Sequence, residues 1–278
     1  MTMLTSAQSN SGILPDEYGA LITEPVAEAA LAFQPSIAQR VTTSGKTFRV
    51  PVLVEDAAAA WTAEGEEITP TDPVLDEIEV TPTKVAGLTL ISRELAEDSS
   101  PSAAEMVGAS LARALTLQVD KGFMGNLKAT NPAAAAGLGS ITPTVVSGAL
   151  DSLDSIHEAK AAAAAEGGAP SVLLVNPADL LALATLKDQA DSNRALLADT
   201  TNVAGLPVVA SRHATAGQLW LLDATQIVTV LREDVTLAVS HDSHFTSDRV
   251  ALRATLRVGF AFPKPAALVR IDLDGAEG

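Results

Sequence analysis

The strongest hydrophobic pattern in the chain lies between Ser99 and Asn126, where Val107, Leu111, Leu115, Val119 and Phe123 step by four. That spacing predicts a long helix with a slanted apolar ridge on one side, suited to packing across another element rather than to a coiled-coil seam. Ser99, Ser100 and Pro101 mark its start, and Glu105 stands three residues after Ser102 as a capping box requires. Gly108, Ala109, Ala112 and Ala114 keep the flanks of the ridge small enough for close approach. Upstream, after Pro15, Tyr18, Leu21, Ile22, Val26, Ala29, Ala30 and Phe33 recur at helical spacing, and Pro25 predicts a kink or a break into two pieces.

Two stretches alternate at strand period instead, Thr47 to Val54 and Glu77 to Ser92. Between them the polar tract Glu55 to Asp76 is too long for an ordinary turn, and Trp61, Ile68 and Leu75 within it argue against simple disorder. Lys128 to Pro143 is punctuated by Pro and Gly as a linker, and a helix is expected from about Ala149 to Glu166, ended by Gly167 and Gly168. Ser171 to Val175 reads as a strand, followed by Asn176 as N-cap, Pro177 at the first helical position and a helix through Leu186. Short strands are expected at Leu206 to Ala210, Gln218 to Leu222, Ile227 to Leu231 and Val235 to Ser240, then a long one from Asp248 to Phe262 and a last at Ala267 to Leu273. The pattern is α+β, with a second subdomain opening near Ser147.

Composition narrows the function. Of 278 residues, 34 are acidic and 18 basic, a net charge of −16 spread along the chain without a basic cluster. Such a chain repels polyphosphate, and one Tyr, two Trp and six Phe are too few for a base-stacking platform, so sequence-specific nucleic-acid binding is not expected. The absence of cysteine rules out disulfides, thiolate metal sites and a cysteine nucleophile. Met1 to Gly12 has neither basic residues nor an apolar core, and no run of about 18 apolar residues occurs, so neither a signal peptide nor a membrane span is expected.

Candidate chemistry is sparse. Ser44-Gly45-Lys46-Thr47 holds the end of a phosphate-loop motif, but Arg40 stands where the earlier glycine is required and a strand follows, so a solvated turn is expected. His241 and His244 are three apart, yet they fall in a predicted turn with only Asp242 and Asp248 nearby. Ser110 sits in Gly108-Ala109-Ser110-Leu111-Ala112, which lacks the last glycine of a nucleophile elbow and lies inside the long helix. Glu64, Glu66 and Glu67 read as a solvated acidic face. No nucleophile, base and orienting group stand together.

Six stretches, taken in order, carry a family likeness: GILPDEYGALITEPVAE at Gly12 to Glu28, RVPVLVEDAAAAWTAEGEEI at Arg49 to Ile68, KVAGLTLISRELAEDS at Lys84 to Ser99, VLLVNPADLLALATLKD at Val172 to Asp188, AGLPVVAS at Ala204 to Ser211, and VALRATLRVGFAFPKPAALVRI at Val250 to Ile271. In this order and spacing the chain resembles the major capsid protein of tailed bacteriophages with the HK97-type fold. The resemblance implies an N-terminal arm over residues 1–40, an extended E-loop hairpin with flanking peripheral strands over 41–92, and a spine helix with peripheral domain over 93–147. It further implies an axial domain over 148–232 and strands returning to the peripheral domain over 233–278. The long polar excursion then becomes an arm reaching over a neighbouring subunit.

The function so implied is a structural, non-enzymatic one. Copies assemble as pentamers and hexamers into an icosahedral shell around double-stranded DNA, which is contacted non-specifically, in a virion capsid built in the cytoplasm of a bacterial host. No cofactor, metal or membrane is expected. Portal protein is an implied partner, and so is a separate scaffolding protein, because the arm begins within a dozen residues of Met1. The candidate inter-subunit contacts are Trp61, Glu64, Glu67 and Ile68 on the excursion, and Arg253, Arg257 and Arg270 on the final strands. Trp61 leads because a lone indole on a polar loop is costly to expose and typical of interface hot spots. Two other readings stand beside it: an encapsulin-like nanocompartment shell enclosing a cargo enzyme, and an acidic α/β enzyme using His213 or His157. Some relatives join a loop lysine to a neighbour's asparagine, but no lysine occurs between Lys46 and Lys84. Shells of this chain, once denatured, therefore run on a gel as single monomers; a ladder of covalent multimers is the contrary result.

Overall fold

The long helix forms as its apolar pattern requires, whereas the alternating stretch from Glu77 to Ser92 is divided at Thr81 and Pro82 between two strands that belong to different sheets. In a computed structural model, which describes residues 30–59, 61–65, 67, 70–92, 102–189, 192–197 and 199–273, the elements run β1 (Gln39–Thr43), β2 (Phe48–Glu55), β3 (Val74–Val80), β4 (Thr83–Ser92), α1 (Ser102–Met124), α2 (Leu127–Thr130), β5 (Thr144–Gly148), α3 (Asp154–Ala165), β6 (Val172–Val175), α4 (Pro177–Thr185), β7 (Asn202–Val203), β8 (Leu206–Ala210), β9 (Gln218–Leu222), β10 (Val228–His244), β11 (Arg249–Ala261) and β12 (Val269–Leu273). They make a four-stranded sheet in the order β1-β10-β11-β4, a six-stranded sheet in the order β5-β12-β9-β6-β8-β7, and a separate two-stranded ribbon, β2-β3.

The first sheet has one face buried along most of β11, and at the end formed by Val228, Val230 and Ala261 its other face is covered as well, by Val50 and Val80 of the ribbon. Along β11, Val250, Leu252, Ala254, Leu256 and Val258 are buried, while Arg249 and Arg253 on the alternate face are exposed. The buried face receives α1, whose Leu111, Leu115, Val119 and Phe123 are buried as the step-of-four pattern predicts. Phe123 meets Phe260 edge to face, with ring centroids 5.3 Å apart. Gly87 on β4 matters here, since a Cβ there would lie 3.0 Å from Leu111 Cδ2.

The second sheet is covered on both faces, which is why Val172, Leu173, Leu174 and Val175 are all buried and the strand reads as a continuous apolar run. Val172 and Leu174 join the cluster around α1, whereas Leu173 and Val175 pack with Ile156, Ala159 and Ala163 of α3 and Leu183 of α4. Asn176 caps α4, its Oδ1 accepting from Ala178 N at 2.9 Å, with Pro177 at the first helical position.

Residues 30–39 are fastened to both sheets. Leu31 N donates to Asp120 Oδ1 of α1 at 2.8 Å, Thr229 Oγ1 donates to Ala32 O at 2.7 Å, and Ser171 Oγ donates to Ser36 O at 2.8 Å. Further on, Gly137 lies against the end of α1. A Cβ at this position would stand 2.0 Å from Gly122 O and 2.5 Å from Phe123 O, so no side chain fits.

Several expectations change. The last strand, β12, does not return with β11 to the four-stranded sheet; it pairs parallel with β5 and antiparallel with β9 in the six-stranded one. The two strands expected at Ile227 to Leu231 and Val235 to Ser240 are one, β10, from Val228 to His244, because register shifts between Arg232 and Thr236 and between Ser240 and His244 carry it past its irregular points. His241 and His244 consequently fall in a strand and not in a turn. The third helix starts at Asp154, after β5, a strand the linker reading omits. The helical pattern upstream of Ala30 and the start of the long helix lie outside the described residues.

Gly137 gives a stability test. Gly137→Ala is expected to cost about 1–3 kcal/mol in urea unfolding of the unassembled subunit, as overpacking against a fixed backbone does. Gly108→Ala in α1, where a Cβ meets nothing within 4 Å, gains up to about 1 kcal/mol. Equal effects at the two sites contradict this packing account.

Candidate assembly surfaces

The β2-β3 ribbon grows out of a buried base and ends in an uncovered tip. At the base Val50 and Val80 are buried against Val228, Val230 and Ala261, and a Cβ on Gly259 would lie 2.6 Å from Val80 Cγ1, so β11 is shaped to seat it. Farther out, Leu53 pairs directly with Leu75, and both are exposed, Leu75 to 69%. Val54 and Val74 are exposed as well. Three successive apolar residues, Val52, Leu53 and Val54, place apolar side chains on both faces of a two-stranded ribbon, which has no second layer of its own to cover them. Beyond the ribbon, Thr71 Oγ1 donates to Ala58 O at 2.9 Å and ties the two legs of the tip. Gly65 turns the chain there with φ +89°.

The ribbon is also acidic. Nine Asp or Glu residues and no Lys or Arg stand between Val50 and Thr83. At its base Arg49 reaches Glu77 at 3.0 Å, an exposed pair of small energetic weight.

The outward face of the four-stranded sheet has the opposite character. Lys84 is paired across to Arg257, Leu88 to Arg253 and Leu90 to Ala251, so a strip of exposed leucines on β4 runs beside a row of cations on β11. Leu88 is 63% exposed. Arg257 is itself opposite Arg232 on β10.

A third feature is a cavity of about 760 Å³ between α1, the segment after Ala30 and the loop that follows β8. Its wall includes Leu31, Ala112 and Leu117, with Arg113, Asp120, Arg212 and His213 as its charged or titratable groups. Burial raises the Asp120 carboxyl to about 6, against the opposing pull of the Leu31 N–H and the Arg212 guanidinium. Burial also lowers the His213 imidazole below its ordinary value, aided by Arg212 and Lys121, and its buried Nε2 has no hydrogen-bond partner.

The sequence-predicted contacts separate into three places. Trp61 is fully exposed at the tip, with Glu64 and Glu67 exposed close by in sequence. Ile68 lies outside the described residues. Arg253 and Arg257 share the outward face of β11, exposed and half-buried respectively. Arg270 lies in the other sheet, where its Nη2 reaches Asp272 Oδ2 at 2.8 Å and its guanidinium sits 5.9 Å from the Trp220 ring centre, so it has partners within its own subunit. Sequence reasoning missed Leu53, Leu75, Leu88 and Lys84. The unbroken apolar triplet at Val52 to Val54 was the available signal for the first two.

The family described as the phage capsid family matches residues 15–273. Among solved structures, one described as Mycobacterium phage Bobi superposes with a TM-score of 0.70 at 18% identity, covering 91% of each chain. The capsid of a native GTA particle computed with C5 symmetry gives 0.65 at 19% identity, covering 86% of this chain and 90% of that one. A virus-like particle from Pyrococcus furiosus gives 0.64 at 15% identity, covering 92% and 99%. No curated protein matches the sequence.

Asp120 makes the stability of this region depend on pH. With its carboxyl raised from 3.8 to about 6, the folded state takes up a proton that the unfolded state binds only at lower pH. The contribution is therefore fully present below pH ~4 and is lost as pH rises through ~6. Asp120→Asn keeps an acceptor for Leu31 N–H and removes the titration. The variant is expected to gain stability over the parent at pH 7.5, with the gain shrinking as pH falls to 4.5, read from melting temperatures across that range. A difference independent of pH is the contrary result.

Proposed function

The chain belongs to the phage capsid family, and from that premise we propose that its β2-β3 ribbon lies across the outward face of the four-stranded sheet of a neighbouring copy. It is a structural major capsid protein of HK97-type fold, a subunit of the virion's shell. The observation that carries the proposed contact is the match of surfaces. An acidic ribbon with uncovered Leu53 and Leu75 meets a strip of exposed Leu88 and Leu90 flanked by Lys84 and Arg253. Burying the leucines together removes apolar area from water, and the charges fix register and suppress wrong docking.

In this reading Trp61 anchors the tip, Glu64, Glu67 and Ile68 line its contact, and Arg253 and Arg257 receive acidic partners. Such a contact is heterologous, one face of each copy meeting a different face of the next, and it generates rings when the rotation closes. Pentamers and hexamers enclosing double-stranded DNA follow as the shell's composition, formed in the cytoplasm of a bacterial host. A scaffolding protein, a portal protein and non-specifically held DNA are the partners proposed with it, and the family is their support.

The test is electron microscopy and light scattering of the purified protein, with nuclease protection of any enclosed nucleic acid. Closed shells holding protected DNA support the proposal; a persistent monomer or dimer contradicts it, and shells holding an enzyme instead point to a nanocompartment. For the contact itself, Lys84→Glu with Arg253→Glu is expected to leave the melting temperature of the subunit within about 2 °C, since exposed substitutions change stability little, while reducing shell yield at least tenfold. Unchanged yield contradicts the contact.

A further inference from the structure

β11 outruns the strand beside it. β4 starts at Thr83, opposite Val258, while β11 continues to Ala261, because the chain turns at Thr81 and Pro82 from the ribbon into β4. The stretch from Gly259 to Phe262, left without a β4 partner, borders a second cavity of about 510 Å³, between β11, the base of β3 and the loop after α2. Its loop wall is Pro132 and Ala134 to Ala136, small apolar side chains that keep the hollow wide. Glu79 and Lys128, both exposed, are its charged groups. Neither has an ion-pair partner among the described residues.

The complement stands at the ribbon tip. Among the described side chains Trp61 is the one exposed aromatic ring, while Trp220 and the core phenylalanines are buried. Covering such a ring removes about 150–250 Å² from water, and the hollow falls within the ~300–1,000 Å³ of sites that enclose small ligands. A buried indole N–H needs an acceptor, and the Glu79 carboxylate stands on the wall. Glu64 and Glu67, exposed close to Trp61 in sequence, are opposite in sign to Lys128. The copy's own indole does not reach this hollow. Ile78 and Val80, at the base of its own ribbon, form part of the wall, and the paired strands carry the chain six residues outward from Val80 to Val74, about 20 Å at ~3.4 Å per residue. Trp61 lies beyond that end.

We propose that this cavity receives the indole of Trp61 from a neighbouring copy, with Glu79 accepting the indole N–H and Lys128 facing Glu64 or Glu67. The proposal rests on the ribbon contact above and supplies its end point. Trp61 is eight residues from Leu53, a reach of up to ~28 Å. Thr83, on the cavity wall, is five residues from Leu88, about 17 Å along β4. With Leu53 of one copy beside Leu88 of the next, the indole therefore has the length of chain it needs. A strip of leucines alone would let the ribbon slide along β4, whereas a ring seated in a hollow fixes its position, as a central aromatic anchor does in other interfaces.

Tryptophan fluorescence reads this directly, because the chain has two tryptophans and Trp220 is buried. Acrylamide quenching of assembled shells is compared with that of the unassembled subunit carrying Lys84→Glu and Arg253→Glu. The quenching constant is expected to fall at least threefold in the shells, with emission shifted to the blue. A second measurement names the hollow. The chain has no cysteine, so Ala63→Cys with Pro132→Cys, treated in shells with a short bismaleimide, should give covalent multimers on a denaturing gel. Shells in which Trp61 is quenched as readily as in the subunit overturn the proposal and leave the ribbon contact standing. So does protection of Trp61 without the intersubunit cross-link, or a cross-link formed only within one monomer. A full-length chain that forms no shells overturns the ribbon contact and this end point together, and electron microscopy of the same samples tells that failure from the others.

Discussion

The contact between the apolar ridge of α1 and the inner face of the four-stranded sheet is the constraint from which the rest of the structure follows. Leu111, Leu115, Val119 and Phe123 are buried along one helix, and each other part is positioned against it. The sheet meets it through Phe260 and the close approach at Gly87. The segment after Ala30 is fixed to it by Asp120, and the loop at Gly137 closes over its last carbonyls. The six-stranded sheet joins the same cluster through Val172, Leu174, Trp220 and Leu222. A single rigid helix therefore sets the relation of both sheets, and close packing makes that relation discrete rather than continuously adjustable.

Because the interior is settled this way, the unsatisfied surface lies outside it. The ribbon cannot cover its own leucines, and the outward sheet face carries leucine beside cation. In the proposed contact, the acidic apolar projection of one subunit meets the basic apolar receiver of the next, head to tail. When several such contacts close a ring or a shell, each later one forms at high effective concentration, so individually modest contacts suffice.

Local pattern made much of this legible and tertiary pairing made the rest illegible. The step-of-four ridge, the Asn176-Pro177 helix start and the run from Val172 to Val175 depend on neighbours in sequence, and each stands in the structure as read. β1 and β5 are short strands held by parallel partners far along the chain, Val228 to Arg232 and Val269 to Leu273, so nothing near them announces them. The placement of β12 failed for the same reason. Among the candidate contacts, Trp61 was readable because a tryptophan in a polar tract is conspicuous, whereas the sequence left Arg270 equally able to pair within its subunit or across to a neighbour, and the fold sets it beside Asp272 and Trp220 of its own subunit. Asp120 gave no signal at all, since its burial comes from residues 30–38 folding onto α1 from 89 positions away.

The central claim is that the acidic ribbon of one copy rests on the leucine-and-cation face of another. An electron cryomicroscopy map of the assembled particle, at a resolution that traces side chains, measures this directly. The account predicts density for Leu53 and Leu75 against Leu88 and Leu90 of an adjacent copy, with Lys84 and Arg253 beside acidic side chains of the ribbon. A ribbon folded onto its own subunit, or an outward sheet face of β4 and β11 left bare in the particle, would contradict it.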